Sequence, residues 1–174
     1  MSAPQEQAPL RLAGVVRESI VDGPGLRLTV FVQGCPHHCP GCHNPQTHDP
    51  RGGYDAKTAP LLEALDANPL LRGITLSGGE PIEQAARLLE LARAVVQRGR
   101  DVVLFTGYTF EQLLELGKVR PAVLELTALC CLLVDGPFVL EQRDLSLRFR
   151  GSTNQRLLDP AASLAAGQAV ASTL

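Results

Sequence analysis

The chain has 174 residues, of which 45% are hydrophobic and 20% charged, with a formal net charge of -2 and a pI near 6.1. This length predicts one domain with a substantial core, and the small net charge gives no sign of nucleic-acid binding. No apolar run is long enough to cross a bilayer, and residues 1–9 lack the basic-then-apolar order of a signal peptide. We therefore expect a cytoplasmic protein whose partners are neither nucleic acid nor membrane.

Two strands are predicted near the N-terminus. Residues 1–10 are rich in proline and polar side chains, which predicts a flexible leader. A short strand is predicted over residues 12–16, and the Asp-Gly and Pro-Gly pairs within residues 22–25 mark a turn. The alternating run over residues 26–32 predicts a second strand, which leads directly into a cysteine-rich loop.

That loop runs from Gly34 to Asn44 and holds three cysteines in a CxxxCxxC pattern. They are Cys35, Cys39 and Cys42. In a reducing compartment such a group indicates metal ligands rather than disulfides, and clustered thiolates suit a soft metal. Three ligands leave one position open, either at a zinc ion or at one iron of a four-iron cluster. Spacing alone also leaves open a structural zinc site completed by a histidine of the loop. The candidates are His37, His38 and His43.

Beyond the loop, strands and helices alternate. Strands are predicted over residues 73–77, 102–105 and 129–134, and helices over residues 57–67, 81–96 and 110–116. This order is typical of βαβ units with a mostly parallel sheet, whose post-strand loops share one end. The chain is shorter than the roughly 200 residues of a full eight-unit barrel, so we expect an incomplete, open (β/α) barrel over residues 11–156. Residues 157–174 predict a loosely attached tail.

The turn Gly78-Gly79-Glu80 follows the strand over residues 73–77, and Pro81 can begin a helix after it. Alone this is a weak signal, because glycine-rich turns often reflect only tight packing. Its place at the predicted ligand-binding end favours a second interpretation. Exposed N–H groups at a helix start would bind a carboxylate, and Glu80 would pair with an ammonium group, a combination that suits an amino-acid moiety.

Six segments, in order between about residues 19 and 156, resemble the radical S-adenosylmethionine enzymes. More narrowly they resemble the activating proteins of glycyl-radical enzymes, in the branch that acts on anaerobic ribonucleoside-triphosphate reductase. The segments are Val21–Gly25, Cys35–Asn44, Ser77–Pro81, Thr106–Tyr108, Leu133–Phe138 and Arg150–Arg156.

The resemblance implies a [4Fe-4S] cluster on the three loop cysteines, with S-adenosyl-L-methionine bound at the fourth iron. It also implies which residues contact S-adenosylmethionine. These are Gly41, Cys42, His43, Gly78, Gly79 and Glu80. Many members of the superfamily carry an aromatic residue just before the third cysteine, where this chain has Gly41.

The implied activity is that of an oxidoreductase. A one-electron donor such as flavodoxin reduces the cluster, S-adenosylmethionine is cleaved, and the resulting radical takes a hydrogen atom from a glycine of the partner reductase. The cofactor carries this chemistry, so no catalytic side chain is predicted.

Alternative functions remain open at this point. They are another glycyl-radical activase, a small-molecule enzyme like carboxy-deazaguanine synthase, and a zinc-binding interaction module without catalysis. The segment over residues 150–156 and the short chain argue against the synthase. Cys130 and Cys131 lie in an apolar run and are expected in the core. Three arginines either face a partner or form a solvated surface. They are Arg143, Arg148 and Arg150.

Overall fold

The structure is a computed structural model, and it describes residues 9–174. The strands are β1 (Leu10–Ser19), β2 (Arg27–Val32), β3 (Tyr54–Ala56), β4 (Gly73–Gly78), β5 (Asp101–Phe105), β6 (Leu132–Asp135) and β7 (Arg156–Leu158). The helices are α1 (Thr58–Ala67), α2 (Ala85–Gln97), α3 (Phe110–Gly117), α4 (Pro121–Leu129) and α5 (Pro160–Ala166). Within this described part, no helix has the length and apolar character needed to cross a membrane.

All seven strands form one sheet in the order β3-β1-β2-β4-β5-β6-β7. The four strands β2, β4, β5 and β6 run parallel at its centre. Their short apolar runs, such as Val102–Leu104, are buried on both faces, as expected for parallel strands covered by helices. The prediction of an α/β fold with a mostly parallel sheet is confirmed for this centre.

The outer strands β1, β3 and β7 are antiparallel to their neighbours. β1 and β2 are joined by only a short turn, and a short turn can connect antiparallel strands but not parallel ones. The predicted first strand over residues 12–16 is thus part of a longer strand, which begins at Leu10. Residues 1–8 of the predicted leader lie outside the described residues.

Helix α2 packs an apolar stripe on the sheet and follows the turn after β4. Leu88, Leu91 and Val95 are fully buried on this stripe. The spacing that predicted the helix ran through Ala85, Leu89 and Ala92, which are buried, but also through Ala86 and Val96, which are exposed. Residues Pro81–Gln84 form a short 3-10 helix before it. Glu80 caps that helix, because its Oε1 accepts a hydrogen bond from the N–H of Ile82 at 3.0 Å.

Helix α4 was not predicted, and the strand predicted over residues 129–134 begins later, at Leu132. Pro121 stands in the first turn of α4, where a missing N–H costs nothing. The run from Ala122 to Val134 is almost continuously apolar. Periodicity cannot separate a buried helix from a buried strand in such a run.

The stretch over residues 157–174, expected to be a loosely attached tail, is joined to the sheet in the structure. β7 pairs with β6, and Leu158 also bridges to Ala171. Asp159 caps α5 by accepting a hydrogen bond from the N–H of Ala162 at 2.9 Å. The predicted boundary at residue 156 therefore falls inside a strand. Backbone pairing holds this segment in place, and the weak helical pattern of its side chains did not reveal that pairing.

Candidate functional site

The turns that follow the four parallel strands meet at one edge of the sheet, as expected for the ligand-binding end of such a fold. A cleft of about 160 Å³ opens there. Its lining includes Cys35, Cys39, Cys42, His43, Gly78 and Gly79. Six of the eight predicted site residues are thus brought together. The other two, Gly41 and Glu80, lie next to the cleft but do not line it.

A larger cavity, of about 560 Å³, lies on the other side of Cys35 and is lined by Arg11, His48 and Arg87 among others. Of the three loop thiols, only Cys35 reaches it. A group that must contact all three thiols can bind only in the smaller cleft, so we assign the candidate site to that cleft.

The three loop thiols are free and half-buried. Burial raises the pKa of Cys35, while backbone N–H groups of His37 and His38 act in the opposite direction and the Glu80 charge adds to the rise. The Sγ of Cys42 accepts a hydrogen bond from the N–H of Asn44 at 3.4 Å. Amide donors facing sulfur stabilise a bound thiolate and are a feature of iron–sulfur sites.

The placement of the donors fits a cluster better than a single ion. In the part of the chain that the structure describes, no three His, Cys, Asp or Glu side chains are grouped to hold one metal ion. The cysteines of a four-iron cluster each bind a different iron, so their sulfurs need not converge on one point.

Each of the three histidines proposed to complete a zinc site has a partner other than a thiol. His37 is hydrogen bonded to Glu80, the ring of His38 packs on His48, and the ring of His43 packs on Phe138. This geometry does not support the structural zinc site.

Gly41 is required by the local backbone. Its φ is +71°, and a Cβ at this position would lie 2.8 Å from Cδ1 of Leu140. An aromatic side chain before the third cysteine would therefore displace Leu140. The positive φ at position 41 favours glycine where many members of the superfamily carry a ring, and the contact with the exposed end of Leu140 is secondary.

The Gly78–Gly79 turn packs tightly against the start of the cysteine loop. The N–H of Gly79 donates to the carbonyl of Val32, and the N–H of Glu80 donates to the carbonyl of Gly34, both at 2.8 Å. These two N–H groups are already paired within the chain. They therefore do not face a ligand carboxylate, contrary to the expectation from the sequence. Tight packing, the weaker of the two interpretations considered, accounts for them.

The side chain of Glu80 is fully buried. Its carboxylate accepts hydrogen bonds from Ile82 N–H, Thr106 Oγ1, Gly107 N–H and the ring of His37. These four donors occupy the acceptor positions of the carboxylate. The structure therefore gives Glu80 partners within the chain instead of the predicted ammonium group.

The lining of the cleft also includes Phe138, after β6, and Gln155, just before β7. Neither residue was predicted individually. Each lies in a segment that carried the family resemblance, and the position of Phe138 after a predicted strand was the available signal. Tyr108 donates a hydrogen bond from its hydroxyl to Glu83 at 2.8 Å, and burial raises the pKa of this hydroxyl.

The remaining candidate residues, two cysteines and three arginines, differ in how far the structure buries them. Cys130 is buried as predicted, but Cys131 is exposed, so the expectation of core packing is wrong for it. Cys131 immediately precedes β6 and lies outside the core. Arg143 and Arg148 are exposed, whereas Arg150 is half-buried and donates to the carbonyl of Gln155 at 3.3 Å.

Comparison with known proteins is consistent with this site. Residues 21–158 match the family described as a 4Fe-4S single cluster domain. The chain is 37% identical over 144 residues to the anaerobic ribonucleoside-triphosphate reductase-activating protein of Escherichia coli (strain K12), which covers 78% of this chain and 90% of that protein. The protein of the same name from Vibrio cholerae is 38% identical, over 78% of this chain and 89% of its own.

The protein of that name from Enterobacteria phage T4 is 32% identical over 146 residues, covering 79% of this chain and 86% of the phage protein. The family match over residues 21–158 includes the cysteine loop and the turns around it, and these comparisons confirm the resemblance inferred from the motifs. The chain therefore belongs to the 4Fe-4S single cluster domain family, among the anaerobic ribonucleoside-triphosphate reductase-activating proteins.

Proposed function

We propose that this chain activates an anaerobic (class III) ribonucleoside-triphosphate reductase by introducing a glycyl radical into it, with a [4Fe-4S] cluster and S-adenosyl-L-methionine as cofactors. One observation carries this proposal. Three half-buried thiols, and neither of the other two cysteines, line a single cleft at the C-terminal edge of four parallel strands. The names of the relatives supply the target reductase.

The architecture that we propose is an incomplete, open (β/α) barrel. β3 and β7 are the two edges of the sheet and do not pair with each other within the described residues. The four parallel strands are half the number in a closed eight-unit barrel. An open side leaves room for a protein substrate beside the cleft.

Cys35, Cys39 and Cys42 would bind three irons of the cluster and leave the fourth free. When bound, the cluster and S-adenosylmethionine supply a reductive bond cleavage that yields a hydrogen-abstracting radical. The chain holds and orients these groups, and its walls exclude water from them. No side chain is assigned a proton-transfer step, because no acid or base is required.

We propose that S-adenosylmethionine binds between two segments, Gly41–His43 and Gly78–Glu80, in which Gly41 and Glu80 support the residues that line the cleft. His43, Gly78 and Gly79 line the same cleft as the thiols. The ring of Phe138 lies 5.1 Å from the ring of His43 and closes this wall. Phe138 thus supplies an aromatic surface for the adenine, which position 41 cannot supply.

We propose that the electron for this reaction comes from an external one-electron donor, such as flavodoxin, since neither Cys130 nor Cys131 lines the cleft. We assign the protein to the cytoplasm, where low oxygen and a reducing environment keep its thiols available. Neither nucleic acid nor membrane is among the proposed partners.

The decisive experiment is anaerobic reconstitution with iron and sulfide, followed by reduction and addition of S-adenosylmethionine and the reductase. We expect about four irons per chain and a glycyl-radical doublet in the EPR spectrum of the reductase. Cys39→Ala removes a proposed ligand and should abolish cluster binding and the doublet. Cys131→Ala, at an exposed cysteine outside the cleft, is the matched control and should retain both.

Binding of one zinc and no iron would overturn the enzyme assignment. A cluster that cleaves S-adenosylmethionine without giving a doublet, in a reductase that a known activating protein converts, would overturn the assignment of the target alone.

A further inference from the structure

Residues 36–43 of the cysteine loop are attached to the rest of the chain by very few polar contacts. Within the described residues, one hydrogen bond joins this segment to a distant part of the chain, between His37 Nε2 and Glu80 Oε2 at 2.8 Å. The others stay local, such as the bond from Cys42 N–H to the Cys39 carbonyl. Two of the three candidate cluster ligands, Cys39 and Cys42, lie in this segment. The ring of His37 is thus the polar link between their segment and the turn that holds Glu80.

Glu80 is arranged to receive this ring. One oxygen, Oε1, accepts from Ile82 N–H at 3.0 Å and from Thr106 Oγ1 at 2.8 Å. The other, Oε2, accepts from Gly107 N–H and from His37, both at 2.8 Å. A carboxylate only accepts, so Nε2 of His37 carries the proton in this bond. Loss of His37 would leave a fully buried acceptor without one of its partners, which is costly.

The turn after β5 shapes a slot for the ring. The ring centroids of His37 and Tyr108 lie 4.5 Å apart, in an edge-to-face arrangement. A Cβ on Gly107 would lie 2.5 Å from Cδ2 of His37, so only glycine leaves room for the ring at this position. The Tyr108 hydroxyl is in turn held by Glu83. Hydrogen bonding and packing therefore fix the same orientation of His37.

We infer that His37 is a positioning residue, which holds the thiol-bearing loop in a fixed relation to the turns after β4 and β5 through its bond to Glu80. Its effect on the cofactor rests on the proposed function, because those turns and that loop would contact S-adenosylmethionine and the cluster together. The backbone N–H of His37 also faces the Cys35 sulfur. A fixed orientation of the His37 ring therefore also fixes the position of this backbone N–H.

Three variants separate this role from a general effect on the loop. His37→Ala removes the ring donor. His37→Gln keeps an N–H donor at a similar distance from the backbone and should restore the bond to Glu80. His38→Asn is the matched control, since the His38 ring packs on His48 and not on Glu80. His38 has a φ of +47°, a conformation that asparagine tolerates.

The first measurement uses the metal-free protein and does not depend on the proposed function. Amide hydrogen exchange is followed at Cys42 and Gly107, whose N–H groups report on the loop and on Glu80. We expect exchange to be about tenfold faster in H37A, because a hydrogen bond to a charged group contributes on the order of 1.5 kcal/mol or more. H37Q and H38N should exchange like the wild type.

The second measurement uses protein reconstituted with iron and sulfide. We expect H37A to bind S-adenosylmethionine about tenfold more weakly, and the EPR spectrum of its reduced cluster to differ from the wild-type spectrum when S-adenosylmethionine is added. H37Q and H38N should retain the wild-type affinity and spectrum.

The inference is overturned if H37A matches the wild type in exchange and in affinity, or if H37Q is as impaired as H37A although it keeps a donor. If H37A alone loses iron, the result supports the inference, because the loop then needs the bond even to hold the cluster. If exchange behaves as expected but wild-type protein binds no S-adenosylmethionine, the proposed function fails while the structural role of the bond stands.

Discussion

The glycine at position 79 is required by a neighbouring backbone segment. A Cβ there would lie 2.3 Å from the carbonyl oxygen of Gly34, at the start of the cysteine loop. The same pair of segments is joined by the bond from Glu80 N–H to the Gly34 carbonyl. The sequence predicted that this turn binds a ligand. The structure shows that it also packs against the start of the thiol-bearing loop.

Gly79→Ala should destabilise the fold by about 1–3 kcal/mol, because the added methyl group forces two backbone segments apart. Urea unfolding of the metal-free protein measures this change. Gly14→Ala is the control, since a Cβ at position 14 meets nothing within 4 Å, and its effect should stay within about 0.5 kcal/mol. Equal effects of the two substitutions would contradict the packing argument.

At the scale of elements, the C-terminal segment shows how one buried hydroxyl can organise a short helix and the chain after it. Ser163, in α5, is fully buried. Its Oγ donates to the carbonyl of Asp159 at 2.6 Å and accepts from Val170 N–H at 2.9 Å. The second bond returns the chain to β7, where Ser172 N–H donates to the carbonyl of Leu157.

Ser163→Ala should lower the free energy of unfolding by about 1–2 kcal/mol, because it leaves the Val170 N–H without its partner. Thermal or urea unfolding provides the measurement. Thr173→Ala changes an exposed residue of the same segment and should have almost no effect. If the two variants unfold alike, the hydroxyl does not hold this segment.

Elements with a clear hydrophobic periodicity could be predicted from the sequence. Elements that depend on pairing with a distant part of the chain could not. The alternation over residues 26–32 gave β2, and the three- and four-residue spacing that includes Ala85, Leu89 and Ala92 gave α2. β7 has only three residues, and its pairing with β6 depends on a chain reversal of about twenty residues. No local pattern encodes such a pairing.

At the scale of the whole molecule, the two ends of the parallel strands carry different structures. The C-terminal ends carry the cleft, whereas the N-terminal ends are closed by Arg27, whose side chain is fully buried. Arg27 bonds to Asp101 at 2.6 Å, to Thr75 at 2.7 Å and to the carbonyl of Ile74 at 2.7 Å. At about 3.3 Å per residue, β2 separates this network from the thiols by roughly 20 Å.

Arg27→Met should cost about 1–3 kcal/mol of stability, because it leaves the buried carbonyl of Ile74 without this donor. Iron content after reconstitution in the cold should nevertheless match the wild type, because the cleft is at the other end of the strands. Arg72→Met is the control, since Arg72 bonds to the same aspartate at 2.7 Å but is half-exposed, and its loss should cost less than about 1 kcal/mol. Loss of iron without loss of stability would contradict this division.

The site shows the same limit of sequence reasoning as the fold. Spacing identified Cys35, Cys39 and Cys42, because cluster ligands on one loop lie close in the chain. Gly41 is favoured by a positive φ, and the partner of His37 lies 43 positions away. Such pairs are created by the way turns from different strands meet, which the sequence does not display.

Both edges of the sheet end in very short strands, β3 and β7, each of three residues. The second is further covered by the bridge between Leu158 and Ala171. Another protein that bound by adding a strand of its own would find little free backbone at either side. Strand addition at either edge of the sheet is therefore not the expected way for a large partner to bind this chain.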